Sequence, residues 1–260
     1  MRKEKEKPKC SKCNIELTDE NWYLSHKKEH RYICRKCYRI KHNLQCQGYR
    51  QRHRKEINQK HRELLEGLRD NLFSQYGQEC ACCGETRREY LTIDHKNGGG
   101  RKHRRELELN NPEKYYKWLI EHYDPSEFQI LCFNCNCGKG NYSVCPHDKD
   151  AFGEEFEAKH KTPSSKSIWK LQLNVIKGYG GKCELCGEDN PHFLTIDHKN
   201  GEGAKERKEF GDWRKLYRKL RDENYPRENY RLLCYNCNCA LGCNRITEEK
   251  ILKQNKWNKK

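Results

Sequence analysis

The sequence predicts an α+β protein made of several small modules that bound metal holds together, rather than one domain with a large apolar core. Three observations predict this class. Only 33% of the 260 residues are hydrophobic whereas 35% are charged, so the chain buries too little apolar surface to offset the entropy lost on folding. It contains 18 cysteines, far above average usage. Finally, a long segment of the chain occurs twice, which is typical of a duplicated domain.

The cysteines favour zinc over disulfide bonds. Most of them occur as C-x2-C pairs, which is the spacing of zinc ligands. The N-terminal sequence "MRKEKEKPKC" lacks the apolar stretch of a secretory signal peptide. No run approaches the roughly 18 apolar residues of a membrane helix. We therefore expect an intracellular, reducing compartment and no membrane association.

The first predicted module, over residues 1–45, is a small zinc ribbon or treble-clef-like unit. Its ligands are the pairs Cys10/Cys13 and Cys34/Cys37, with twenty residues between the pairs. Four thiolates around one zinc ion can hold a segment that is too small to fold alone. The stretches "NWYLS" and "RYICRKC" within this module are predicted to be short strands.

Residues 46–67 are predicted to form a basic helical linker, as part of a helix from about Gly48 to Tyr76. Between Arg35 and Arg62 there are ten Lys or Arg residues and one acidic residue. With a formal net charge of +16, this clustering indicates a polyanionic partner such as nucleic acid. The residues of this stretch predicted to contact nucleic acid are Arg50, Arg52, Arg54 and Lys55.

The duplication defines two further domains, copy one at residues 68–150 and copy two at 168–248. The octapeptide "LTIDHKNG" occurs at 91–98 and again at 194–201, an offset of 103. Residues 151–167 are predicted to be a linker, which ends in Pro163 and a serine-rich helix cap at 164–167. Residues 249–260 form a basic tail. Each copy is predicted to contain a helix, a C-x2-C turn, a strand ending in Asp-His, another helix and a second C-x2-C.

Each copy supplies four matched cysteines for one four-cysteine zinc site. The predicted ligands are Cys80, Cys83, Cys132 and Cys135 in copy one, and Cys183, Cys186, Cys234 and Cys237 in copy two. Six cysteines remain, for which a buried thiol is the expectation: Cys46, Cys82, Cys137, Cys145, Cys239 and Cys243. The tripeptide Cys145-Pro146-His147 could instead add a ligand to an auxiliary site.

Each copy contains, in order, a first pair of zinc cysteines, an Asp-His pair, and a second C-x2-C pair that is followed directly by Asn. This order resembles that of the HNH, or His-Me finger, endonucleases. The match is closest to the zinc-bound kind similar to phage recombination endonuclease VII and to phage HNH proteins. The resemblance implies a ββα-metal fold in each copy, with one catalytic divalent ion per active domain. It implies that Mg²⁺ binds Asp94 and Asn136 in copy one, and Asp197 and Asn238 in copy two. His95 and His198 would then be the general bases.

These residue types suit that chemistry. Mg²⁺ prefers hard oxygen ligands and retains several waters, and an imidazole can accept a proton from water near neutral pH. The same residues also occur as turn and helix caps in proteins without metal. The copies differ where "GGGRKHRRE" aligns with "GEGAKERKE", so that Glu206 replaces His103. His103, Arg104 and the aligned Arg207 are predicted to contact nucleic acid, whereas the Glu206 carboxylate would repel a phosphate.

The sequence therefore predicts a metal-dependent HNH endonuclease with three structural zinc ions, for which DNA rather than RNA is the expected substrate. Duplication of the domain allows a monomer to place two sites on one duplex, although the sequence does not fix the oligomeric state. A junction resolvase that prefers branched DNA belongs to the same class. The alternative from another class is a catalytically inactive zinc protein that binds structured RNA or DNA, since a fold does not determine a function.

Overall fold

The computed structural model describes residues 8–243 and 246–257, of which 255–257 are described by their backbone alone. Over these residues the chain is α+β, with two small two-stranded sheets, which confirms the predicted α+β class. It divides into two compact units between Gly67 and Leu68. Three stretches lie outside the described residues: 1–7 of the predicted ribbon, 244–245 of copy two and 258–260 of the basic tail.

The first unit contains helices α1 (Leu24–Lys28) and α2 (Arg35–Arg52), and helix α3 (Arg54–Tyr76) begins in it. Its small core consists of Cys10, Leu17, Trp22 and Cys34. Within its described residues, the backbone pairing is a single bridge between Lys9 and Glu16, so the prediction of strands at "NWYLS" and "RYICRKC" is wrong. The first stretch leads into α1 and the second enters α2, because the Cys34 side chain caps α2 by accepting from the Cys37 N–H.

The basic helix predicted from Gly48 consists of two helices that meet at His53. The first of them begins at Arg35, thirteen residues before the predicted start. Helix α2 buries no residue. The four cations predicted to contact nucleic acid in this stretch are all exposed: Arg50, Arg52, Arg54 and Lys55.

Copy one is built around an antiparallel pair, strands β1 (Leu91–His95) and β2 (Phe128–Cys132). In their register, Leu91 lies opposite Cys132 and His95 opposite Phe128. Helices α4 (Gly100–Glu106) and α5 (Pro112–Glu121) connect the strands, and α6 (Phe133–Tyr142) follows directly. Leu72 of α3, Leu119 and Ile130 are fully buried in the core.

The segment predicted as a linker, 151–167, is mostly helical. Helix α7 spans Lys149–Lys159, and helix α8 spans Pro163–Gly178. The cap of α8 is Thr162, whose hydroxyl accepts from the Ser165 N–H at 3.1 Å. Residues 164–167 therefore lie inside the helix rather than forming its cap, and Pro163 occupies the first turn, where it is tolerated.

Copy two repeats the arrangement in the same register. Strand β3 (Leu194–His198) pairs with β4 (Tyr230–Cys234), so that Leu194 lies opposite Cys234 and His198 opposite Tyr230. Its helices are α9 (Gly203–Phe210), α10 (Trp213–Asp222) and α11 (Tyr235–Gly242). Helix α12 (Glu248–Trp257) lies in the segment predicted as a basic tail, and its Ile251 is buried in the core of copy two. No helix within the described ranges is long and apolar enough to cross a membrane.

The two copies pack against each other through reciprocal contacts. The Asn134 N–H donates to Asn236 Oδ1 at 2.8 Å, and the Asn236 N–H donates to Asn134 Oδ1 at 2.9 Å. Each N–H belongs to the first turn of its helix, where no carbonyl of the same helix can accept it. Tyr90 of copy one is buried in the core of copy two. The duplicated domains thus meet as the subunits of an isologous dimer do.

Candidate metal centres and active site

Four groups of side chains in the described part of the chain could each hold a metal ion, and three of them are the predicted four-cysteine sets. Sulfur–sulfur distances within these sets are 3.7 Å for Cys13–Cys34, 3.7 Å for Cys83–Cys132 and 3.6 Å for Cys186–Cys234. A tetrahedral zinc ion places its sulfurs about 3.8 Å apart, whereas a disulfide needs about 2 Å. Four thiolates at this spacing suit zinc.

The local backbone positions the thiols of each set. In the first C-x2-C of copy one, the Cys80 N–H donates to the Glu85 carbonyl and the Gly84 N–H donates to the Cys80 carbonyl, both at 2.9 Å. Gly84 closes this turn at φ +73°, a conformation that favours glycine. In the second pair, Cys132 caps α6 with its sulfur. A thiolate there benefits from the positive end of the helix dipole.

The expectation that the six remaining cysteines are buried thiols is wrong. Cys82 and Cys243 are exposed, and the other four are half-buried. Cys82 and Cys145 join His147 and Cys135 in the fourth group that could hold a metal.

The residues predicted to bind Mg²⁺ in copy one, together with His95, line one cavity of about 350 Å³. Strand β1 supplies Asp94 and His95 at its carboxyl end, and α6 supplies Asn136. Arg104 lines the same cavity. Asn136 is not a helix cap, because Cys132 caps α6. The interpretation of this Asn as a cap is therefore wrong, and the residue lines a cavity that Asp94 also lines.

His95 is held by its neighbours. Its Nε2 lies 2.9 Å from His103 Nδ1, and its ring lies edge-on to Phe128 at 4.6 Å. Partial burial lowers the pKa of His95, and the electrostatic effect of the neighbouring His103 and Arg104 lowers it further. The imidazole is therefore neutral near pH 7. His103, which was predicted to contact nucleic acid, is half-buried between His95 and Trp118. The centroids of the His103 and Trp118 rings are 4.8 Å apart.

Two residues that form hydrogen bonds with Asp94 were not predicted from the sequence. Asp94 Oδ2 accepts from Lys139 Nζ at 2.5 Å and from Gln129 Nε2 at 2.9 Å. The Lys139 ammonium also donates to the His95 carbonyl at 2.7 Å. The available signal was helical spacing, since Lys139 follows Asn136 by three residues and so lies on the same face of α6.

Copy two surrounds its matching residues differently. His198 Nε2 lies 2.5 Å from Glu206 Oε2, and the Tyr230 hydroxyl donates to the same carboxylate. Burial raises the pKa of Glu206, but the hydrogen bonds from Tyr230 and His198 outweigh burial and hold this pKa below its usual value. Asp197 Oδ2 accepts from Arg231 Nε at 2.8 Å.

The remaining predicted residues of copy two are less enclosed. Asn238 is half-buried on α11, and Arg207 is exposed, with its Nε donating to the Gly203 carbonyl at 3.1 Å. Arg231 is buried and also bonds Glu248 at 2.6 Å through Nη1. The carboxylate of Asp197 is therefore paired with a guanidinium that a second carboxylate holds in place.

Comparison of the chain with protein-family models, curated proteins and solved structures finds no match. The chemistry of the chain's own residues must therefore indicate its function.

Proposed function

We propose that this chain is a metal-dependent HNH-type endonuclease that hydrolyses phosphodiester bonds of DNA, and that copy one carries the cleavage. The observation that carries the proposal is the cavity shared by Asp94, His95 and Asn136. It brings a carboxylate, an amide and a neutral imidazole together beside Arg104, which suits a phosphate substrate.

The residues of this cavity fit a magnesium ion by the chemistry of their donors. Asp94 and Asn136 offer hard oxygens, and both hydrogen-bond donors to Asp94 use Oδ2. The Lys139 ammonium binds two oxygens there, from Asp94 and from the His95 backbone, so a metal ion would have to displace this ammonium or bind Asp94 beside it. A bound Mg²⁺ would polarise the scissile phosphate and stabilise the charge on the leaving oxygen.

His95 would act as the general base. When its Nε2–H donates to His103 Nδ1, the Nδ1 lone pair of His95 is available to take a proton from water. The lowered pKa of His95 keeps it in the neutral form that can accept that proton. Arg104 and Arg101 also line the cavity and would bind phosphate oxygens of the substrate.

Copy two would bind DNA rather than cut it. The Glu206 carboxylate adds a negative charge beside His198, where a phosphate would have to lie. Arg231 pairs with the Asp197 carboxylate and is itself anchored by Glu248, so a metal ion would have to displace a buried guanidinium. The predicted second catalytic site of the chain is thus the less favourable one.

The test is cleavage of supercoiled plasmid by zinc-loaded protein, with and without added Mg²⁺. We expect Mg²⁺-dependent nicking, which His95→Ala lowers by about 10²–10⁴-fold, the usual contribution of a general base. The matched control is His198→Ala, the same change in the second octapeptide, which should alter the rate less than about threefold.

Other outcomes decide between the alternatives. Linearisation by the wild type together with nicking by each single variant would mean that both copies cut. Preference for branched DNA would identify a junction resolvase. If zinc-loaded wild type leaves plasmid, branched DNA and RNA intact but binds them in a salt-dependent manner, the protein is a non-catalytic nucleic-acid-binding protein and the proposal is wrong.

A further inference from the structure

The group of Cys82, Cys135, Cys145 and His147 has the spacing of a fourth metal site. The Nδ1 atom of His147 lies 3.3 Å from Cys135 Sγ, 3.4 Å from Cys145 Sγ and 4.0 Å from Cys82 Sγ. All four ligand atoms lie within 4.8 Å of one another. In a tetrahedral zinc site with one imidazole, nitrogen and sulfur are about 3.5 Å apart.

This group shares Cys135 with the Cys80/Cys83/Cys132 set. Together the two groups contain seven donors, six cysteines and one histidine. Two four-coordinate ions that share one thiolate need seven donors, so no ligand is missing and none is left over. Cys135 itself is fully buried, at the point where the two groups meet.

We propose that copy one contains a dinuclear zinc centre, in which the Cys135 thiolate bridges the ion of the four-cysteine set and a second ion bound by Cys82, Cys145 and His147. The sequence brings these ligands together by a turn after α6, where Ser143 at φ +68° reverses the chain. Pro146 then packs onto Gly138, where an added Cβ would lie only 2.6 Å from Pro146 Cδ.

Copy two provides an internal comparison. Leu185 stands at the position of Cys82, and the Tyr90 hydroxyl lies 3.4 Å from the sulfur of Cys237, the counterpart of Cys135. The counterpart of Tyr90 is Phe193, which has no hydroxyl and instead lies 4.8 Å from the His147 ring. The most buried zinc cysteine of copy two thus has a phenol partner that copy one supplies, whereas that of copy one lies beside the ligands of a second ion.

The second ion would tether the chain between the two copies. Cys145 and His147 directly precede α7, which Asp148 caps by accepting from the Ala151 N–H at 3.2 Å. Fixing this turn to the four-cysteine centre would orient α7, whose Phe152 and Phe156 pack on His192 of copy two.

Native mass spectrometry and elemental analysis of the zinc-loaded full chain test the proposal. We expect four zinc ions per chain in the wild type and three in Cys82→Leu, which installs the residue found in copy two. Cys145→Ala/His147→Ala should also bind three. The control Cys46→Ala, a cysteine outside all four groups, should retain four.

Cobalt substitution tests the bridge. Two Co²⁺ ions that share the Cys135 thiolate should be magnetically coupled in the wild type and uncoupled in Cys82→Leu. A wild-type count of three zinc ions, or a count of four that none of these variants lowers, would overturn the proposal. If the double variant fails to fold, Cys82→Leu decides, since a leucine is already accommodated at this position in copy two.

Discussion

The reciprocal bonds between Asn134 and Asn236 yield a prediction about stability. Replacing Asn134 by Ala removes the acceptor of the Asn236 N–H, which is 2.9 Å away. Both residues are buried, at 4% and 6% exposure, so water cannot replace the lost partner. The Asn236 N–H also lies in the first turn of α11, where the helix offers it no carbonyl.

The expected cost follows from leaving one buried donor unsatisfied. That penalty is about 1–3 kcal/mol, and we take about 2 kcal/mol as the central value. For a unit of 150–250 residues, each kcal/mol lowers Tm by about 2–4 °C, so Asn134→Ala should lower Tm by about 4–8 °C. Because the contact is reciprocal, Asn236→Ala should have an effect of the same size.

The assay is thermal unfolding followed by circular dichroism at one fixed scan rate, in reducing buffer with zinc present. The control is Asn71→Ala, an exposed asparagine on α3 whose side chain bonds Gln75 within its own helix, and which should not lower Tm. If both core variants unfold within about 2 °C of the wild type, the cross-copy bonds contribute little and the reasoning is wrong. An effect in only one of the two would refute the reciprocity.

Two further predictions concern pH and the candidate active site. Burial, with the positive charge of His160, lowers the pKa of His192 to about 4. Because the pKa of this histidine in the unfolded chain is about 6.5, the unfolded chain binds more protons, and stability falls as the pH drops from about 6.5 to 4. His192→Gln should remove on the order of 2 kcal/mol of that loss, which would appear as a shallower pH dependence of the urea midpoint. Equal pH dependence in the variant and the wild type would contradict this prediction. In Gly100→Ala, the added Cβ would lie 2.6 Å from His95 Nδ1 and would displace the His95 ring, so we expect plasmid nicking to fall at least about tenfold. The control Gly67→Ala, whose added Cβ meets open space on α3, should leave nicking unchanged. Equal rates in both variants would show that nicking does not depend on the present position of the His95 ring.

The metal centres and the cavity were the parts most open to prediction from sequence. The spacing of a C-x2-C pair reflects a requirement of the ion itself, so Cys80/Cys83 and Cys132/Cys135 could be matched without knowing the fold. Likewise, the Asp94-His95 pair could be placed at the end of a strand from the short apolar run that precedes it. These patterns are local, and the structure preserves them.

Other features depend on partners that are distant in sequence. The aromatic stretch near Tyr32 has strand propensity, but the capping sulfur of Cys34 starts α2 there instead. The bond between Asn134 and Asn236 joins residues 102 positions apart, and no local pattern indicates it. Lys139 could have been placed near Asn136 by helical spacing, but its contact with Asp94 depends on how α6 crosses β1.

The reciprocal packing of the copies also has a consequence during synthesis. Asn134 leaves the ribosome 102 residues before Asn236, the residue that satisfies its N–H. At about 5–20 residues per second, this delay lasts about 5–20 s. Throughout it, Asn134 and the ring of Tyr90 lack their partners in copy two. On a crowded polysome, the copy two of a neighbouring nascent chain could occupy that face first, and the product would be an interlocked dimer.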